Sequence, residues 1–127
     1  MDPAQALADL TEISSQIEAA VVLATHGALV GSTLGGEGRA EGFARAVREL
    51  LAAAEAVGPG ELVQLEAATR EGSVFIVRDS GRAIAATTRP EPTVGLVFYD
   101  LKSCLRSVAD DEKPKPRRKP KEADAEA

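Results

Sequence analysis

Between Asp2 and Ile17 the chain follows helical spacing: Leu7, Leu10, Ser14 and Ile17 lie three or four residues apart, and the apolar Ala6 and Ile13 widen the stripe. Asp2 can accept hydrogen bonds from free N–H groups, Pro3 occupies the first helical position, and Gln5 sits at capping-box spacing. These signals predict a short amphipathic helix ending near Ser15. From Glu18 to Thr25 the chain is rich in Val, Leu and Ala. His26-Gly27 then supplies a tight turn, and Ala28 to Leu34 resumes an extended apolar pattern, which together predict a β-hairpin.

Gly35-Gly36 breaks the second strand and Gly58-Pro59-Gly60 makes a strong stop, so Glu37 to Val57 reads as the longest helix. Plotted at about 100° per residue, Phe43, Val47, Leu50, Leu51, Ala54 and Val57 share one side, and Ala40, Ala44, Ala46 and Ala53 extend it. That arc is wider than one sheet face requires, so something besides its own sheet is expected to cover this helix. Glu61 to Thr69, Ser73 to Arg78 and Arg82 to Thr88 are three strand-like runs separated by ordinary hairpin turns. The first alternates apolar and polar positions, as an edge strand does, whereas Val74-Phe75-Ile76-Val77 is apolar throughout, as an internal strand is. After Pro90-Glu91-Pro92, Val94, Val97, Phe98, Leu101, Cys104, Leu105 and Val108 share a helical face. Residues 94 to 99 alone would pass for a strand, but the period beyond Leu101 is helical, and one helix throughout is expected. The order is helix, hairpin, long helix, three-stranded meander, helix: an α/β chain with no internal repeat.

A chain of 127 residues has room for one core. With no Trp and only Phe43, Phe75, Phe98 and Tyr99 as aromatics, that core must be built from Leu, Val, Ile and Ala. The single cysteine, Cys104, excludes an internal disulfide and any multi-thiolate metal site. The Met-Asp-Pro start has neither basic nor apolar leader character, and no apolar run approaches the roughly 20 residues of a membrane span. A cytoplasmic protein is expected. The net charge of −5 resides in residues 1–109, because acidic and basic groups balance in residues 110–127. An acidic domain repels phosphate backbones, so it is not expected to bind nucleic acid specifically. From Asp110 the hydrophobic pattern stops, and the Pro-broken basic run Lys113 to Lys121 precedes an acidic end. Residues 1–109 are therefore read as the domain and residues 110–127 as a disordered tail, either a tether to anionic surfaces or a solvated, self-neutralising end.

Candidate chemistry is sparse. His26, the only histidine, stands at a hairpin tip with no local nucleophile or carboxylate partner and reads as a turn residue. Cys104, on an apolar helical face, reads as a small hydrophobe. Gly35-Gly36-Glu37-Gly38 precedes a helix but lacks the Lys-Ser/Thr pair of a phosphate loop, and Glu37 would oppose an anion. Arg39, Arg45 and Arg48 invite an arginine-finger reading, yet Glu41 and Glu49 stand four residues either side of Arg45, the spacing of ordinary surface ion pairs. No catalytic residue, cofactor or metal site is expected. Leu96 and Tyr99, on the polar side of the last helix, either contact another chain or pack under a loop.

The element order resembles the Roadblock/LC7 family over residues 4 to 109. The likeness rests on Leu10 and Ile17 near the start, on Ala-Val-Val-Leu-Ala-Thr-His-Gly-Ala-Leu-Val in the hairpin, on the long Ala-rich helix, and on Gly95-Leu96-Val97 opening the last helix. The hairpin turn departs from the family's usual Asp-Gly, carrying His26-Gly27 instead. The resemblance implies a profilin-like α-β-β-α-β-β-β-α sandwich, an antiparallel five-stranded sheet with the long helix on one face and the terminal helices on the other. It also implies a homo- or heterodimer in which residues 61 to 69 pair across a two-fold axis and the long helices pack together. Phe43, Val47, Leu51, Leu62, Val63, Gln64, Leu65 and Glu66 are the expected interface. The implied role is that of a non-enzymatic regulator or scaffold for a Ras-like small GTPase. Glu41, Arg45, Arg48 and Glu49 on the outer face of the long helix are the expected contacts, chosen by geometry because no family motif assigns them. An adaptor homodimer without a GTPase client and a ligand-sensing profilin-like module are the alternatives.

Overall fold

In a computed structural model, residues 1–36, 38–58 and 60–112 are described. Helix α1 (Pro3–Ile13) starts as its cap residues dictate, with the Asp2 carboxylate accepting from the Gln5 backbone N–H at 3.2 Å. The Gln5 side chain does not return to the cap but donates to Asp9 at 2.9 Å, so the capping box is half made. The helix stops at Ser14, which turns extended while its N–H bonds Leu10 O at 2.8 Å. Ile17, spaced like a helical position, is instead the first residue of strand β1 (Ile17–Leu23) and reaches the same core from the sheet. Ile13 is 73 % exposed, so the buried stripe of α1 is only Ala6, Leu7 and Leu10.

Strand β1 returns as β2 (Leu29–Ser32) through the expected turn, where Gly27 takes a φ of +90° that a side chain would resist. There follow α2 (Arg39–Val57), β3 (Gln64–Ala68), β4 (Ser73–Asp79), β5 (Arg82–Thr88) and α3 (Val94–Glu112). Helix α3 is one helix from Val94, as its later period indicated, and it includes residues 110–112, which the sequence reading gave to the tail. The rest of that tail, 113–127, lies outside the described residues.

The five strands form one antiparallel sheet in the order β2-β1-β5-β4-β3. Hairpin and meander are joined by β1 against β5, with Ala20 opposite Ala86, Val21 opposite Ala85 and Val22 opposite Ile84. Because successive side chains of a strand point to opposite faces, this sheet serves two cores. Val22, Phe75, Val77 and Ile84 face α1 and α3, meeting Leu7, Leu10, Leu101 and Leu105. Val21, Leu23, Ile76 and Ala85 face α2, meeting Ala44, Val47 and Leu51. Burial on both faces is why residues 19–23 of β1 and 74–77 of β4 read as unbroken apolar runs. Phe75, fully buried, stacks edge-on against Phe98 with ring centroids 5.0 Å apart. No described helix is long and apolar enough to cross a membrane.

The turn into β4 leaves no room at Gly72, where an added Cβ would collide with Thr88 O on β5. Gly72→Ala is expected to lose about 1–3 kcal/mol in urea unfolding. Gly95→Ala, at an open position of α3, is expected to preserve or raise stability by up to about 1 kcal/mol.

Candidate functional site

Strand β3 pairs with β4 alone, leaving its other edge without a strand among the described residues. Its register settles which way each position faces. Leu65 and Ala67 lie opposite Ile76 and Val74, on the α2 side, while Gln64 and Glu66 lie opposite Val77 and Phe75, on the α1/α3 side. Helix α2 does not fully cover its face of the sheet: Leu29, Phe43, Leu50, Leu62, Leu65 and Val74 pack against the α2-side core yet stay only half buried. Val63, just before β3, is 63 % exposed. A half-covered apolar strip therefore runs beside a free row of backbone donors and acceptors.

Of the expected interface set, Leu62 and Leu65 lie in this strip, Phe43 is half buried against the same α2-side core, Val63 is exposed just before β3, and Gln64 and Glu66 are exposed on the opposite, α1/α3 side of the strand. Val47 and Leu51 do not belong there. At 2 % and 7 % exposure they are packed against the chain's own sheet, because a helix lying on a sheet turns its most apolar stripe inward. The surplus arc that remains outside is carried by Ala46, Ala53 and Val57, with Leu50 at its border.

Glu41, Arg45, Arg48 and Glu49 form one stripe along α2, but they are not equivalent. Arg45 and Glu49 are exposed and 3.8 Å apart, a pairing of little energetic weight. Arg48 is half buried and committed: one guanidinium nitrogen donates to Gly27 O at 2.8 Å and the other to Glu41 at 2.6 Å. It ties α2 to the tip of the first hairpin and is not a free cation awaiting a partner. Sequence spacing had assigned Glu41 to Arg45, and only the approach of the hairpin turns Arg48 toward it.

A second tie was not anticipated. Arg78, in β4 on the α2 side, bonds Glu55 of α2 and lies 3.5 Å from Glu61, while its backbone N–H donates to Val63 O at 2.9 Å. Glu55 also accepts from the Leu62 N–H at 3.5 Å. This network fastens the connection between α2 and β3, and so sets where the free edge lies. A signal was present in the alternation of β4, which carries Val74, Ile76 and Arg78 on one face.

The other candidates are structural. His26 is exposed at its turn. The Cys104 thiol lies 3.5 Å from Ala6 O, and burial, then the Asp9 charge, pushes its pKa up to about 11, so it is no ready nucleophile. Gly38 caps α2 in a left-handed conformation without a side-chain acceptor. Among the described residues no three His, Cys, Asp or Glu side chains are placed to share a metal ion. Leu96 and Tyr99 are exposed. The hollows are open and shallow, such as one of about 190 Å³ between α2 and the hairpin tip.

No protein-family model matches the sequence, and no curated protein matches it. Solved structures do match. A Roadblock/LC7 domain from Streptomyces avermitilis superposes with a TM-score of 0.76 at 17 % identity, over 87 % of this chain and 96 % of that one. MglB from Myxococcus xanthus superposes with a TM-score of 0.63 at 14 % identity, over 85 % and 91 %. LokiProfilin2, solved in complex with rabbit actin, gives 0.60 at 15 % identity, over 84 % and 94 %.

Arg48→Ala is expected to destabilise the domain by about 1–2 kcal/mol, through loss of a charge-assisted bond to a carbonyl. Arg45→Ala should change stability by less than about 0.5 kcal/mol. Chemical denaturation of the two variants side by side distinguishes the tie from the free surface charge.

Proposed function

The chain has the Roadblock/LC7 fold, and from that premise we propose that it is a non-enzymatic, dimeric scaffold that binds a Ras-like small GTPase and biases its nucleotide cycle. The observation that carries this reading is the free β3 edge with its half-covered apolar strip. An unpaired strand beside exposed apolar surface is an invitation to association. A second copy satisfies it by a two-fold operation that sets β3 against β3. Such pairing brings the two α2 helices side by side, covers Phe43, Leu50 and Leu65, and merges the two outer faces of α2 into one platform.

That platform presents Glu41, Arg45 and Glu49 with Ala46 and Ala53 between them. Exposed ion pairs exchange partners at small energetic cost, so these charges suit recognition of a protein surface. In this reading regulation works through the GTPase's own catalytic groups. Binding one switch conformation more tightly than the other shifts the population toward it, by no more than that difference in affinity.

Leu65→Lys places a charge on the α2 side of the edge strand and is expected to weaken self-association at least tenfold in sedimentation velocity while the monomer stays folded by circular dichroism. Arg45→Ala together with Glu49→Ala should leave the dimer intact and weaken GTPase retention. The partner assay loads a source lysate with GDP or a GTP analogue and reads what the tagged protein retains. A Ras-like GTPase held in one nucleotide state is the expected result. Retention of the chain itself alone, whatever the nucleotide, would replace this reading by an adaptor homodimer.

A further inference from the structure

Opposite the α2 face, α1 and α3 run antiparallel. The Met1 amine donates to Ser107 O at 2.7 Å, Cys104 Sγ meets Ala6 O, and the Thr93 N–H donates to Gln16 Oε1 at 2.6 Å. Between the two helices lies an open groove of about 330 Å³. Its floor is apolar, with Ala6, Leu10 and Cys104, and Ile13 and Tyr99 rise from its walls, both exposed. Two carboxylates line it, together with the Met1 amine. Among the described residues Asp9 accepts from the neutral amide of Gln5. Asp100 is 9 % exposed, and no described side chain pairs with it. The two carboxylates outnumber the one amine at the groove, so it favours a ligand that brings positive charge.

The geometry points to the chain's own segment Lys113–Lys121 as the occupant of this groove. The segment carries Lys113, Lys115, Arg117, Arg118, Lys119 and Lys121, no acidic residue, and prolines at 114, 116 and 120. Its chemistry is the complement of the groove, with cations for Asp9 and Asp100 and proline rings for Tyr99 and Ile13. Proline-rich sequences in general favour extended backbone, which lowers the entropy lost on docking.

Reach is sufficient. The segment begins directly after Glu112, the last residue of α3. Back along α3 from there to Tyr99 is about 20 Å at 1.5 Å per residue, and nine residues in an extended proline-type chain cover about 28 Å. A segment tethered beside its groove acts at an effective concentration in the millimolar range, so modest contacts suffice. The attraction is partly exposed and therefore falls as salt rises. This inference concerns the α1/α3 face and does not depend on the dimer or on a GTPase.

The test uses the full chain with a nitroxide on Ala123→Cys, since the buried Cys104 thiol stays unlabelled under mild conditions. Amide signals of Ile13, Tyr99 and Ser103 are expected to lose more than half their intensity, while those of Arg45 and Glu49 on α2 keep theirs. The loss should reverse in about 1 M salt, where the screening length is roughly 3 Å. It should also reverse when the six basic residues of the segment are changed to Gln, a variant that leaves the described residues untouched. Asp100→Asn should weaken the effect severalfold. Broadening confined to the end of α3, spread evenly over the domain, or indifferent to salt and to the Gln variant would overturn the proposal. Broadening that passes from spin-labelled chains to isotope-labelled, label-free chains in a mixed sample would assign the groove to a second copy's tail and overturn it as stated.

Discussion

The antiparallel pairing of β1 with β5 is the constraint on which the rest of the molecule depends. Two pieces, a hairpin and a three-stranded meander, are each too small to bury their apolar faces alone. Joined along this seam they become one sheet with a buried centre, and the small side chains there, Ala20, Ala83, Ala85 and Ala86, let helices settle closely on both faces. The seam also makes β2 one edge of the sheet and β3 the other. The position of the free edge is thus a consequence of a contact made three strands away.

The two faces are covered unequally, and that inequality gives the surface its character. Two helices share the face of Val22, Phe75 and Ile84, whereas α2 alone serves the face of Val21, Leu23 and Ile76. One helix cannot span five strands, so the margin along β3 stays half open while the core of the same face is fully buried. Arg48 and Arg78 hold this arrangement in place, one tying α2 to the first hairpin and the other tying its far end to the β3 connection. Each fastens a loop to α2 through a charge-assisted hydrogen bond, and Arg48 does so with a charge expected from the sequence to meet a partner.

The opposite face carries a groove between α1 and α3 in which Asp9 and Asp100 stand beside Leu10, Ile13 and Tyr99. In the proposed reading, the partner contacts of α2 and the groove between α1 and α3 lie on opposite faces of the sheet. A ligand on one face need not displace a ligand on the other.

Much of the fold was legible in the residues themselves. Asp2-Pro3 started α1, His26-Gly27 turned the first hairpin, Gly35-Gly36 and Gly58-Pro59-Gly60 bracketed α2, and the apolar run of β4 against the alternation of β3 told an internal strand from an edge. These are local properties, decided by backbone preferences and by periods of two and 3.6 residues. What sequence spacing could not decide was everything that depends on a distant neighbour. Ile17 continued a helical spacing yet belongs to β1, because Ser14 ended the helix and the sheet offered the same core from another direction. Val47 and Leu51 looked like candidates for a second chain, but α2 needed its strongest stripe for its own sheet. Arg48 looked like a free surface cation until the hairpin brought Gly27 O within reach. The pattern along the chain determined which elements form and how apolar each face is. Only the tertiary structure decided which apolar groups and charges were spent inside the molecule, because that depends on which surfaces meet.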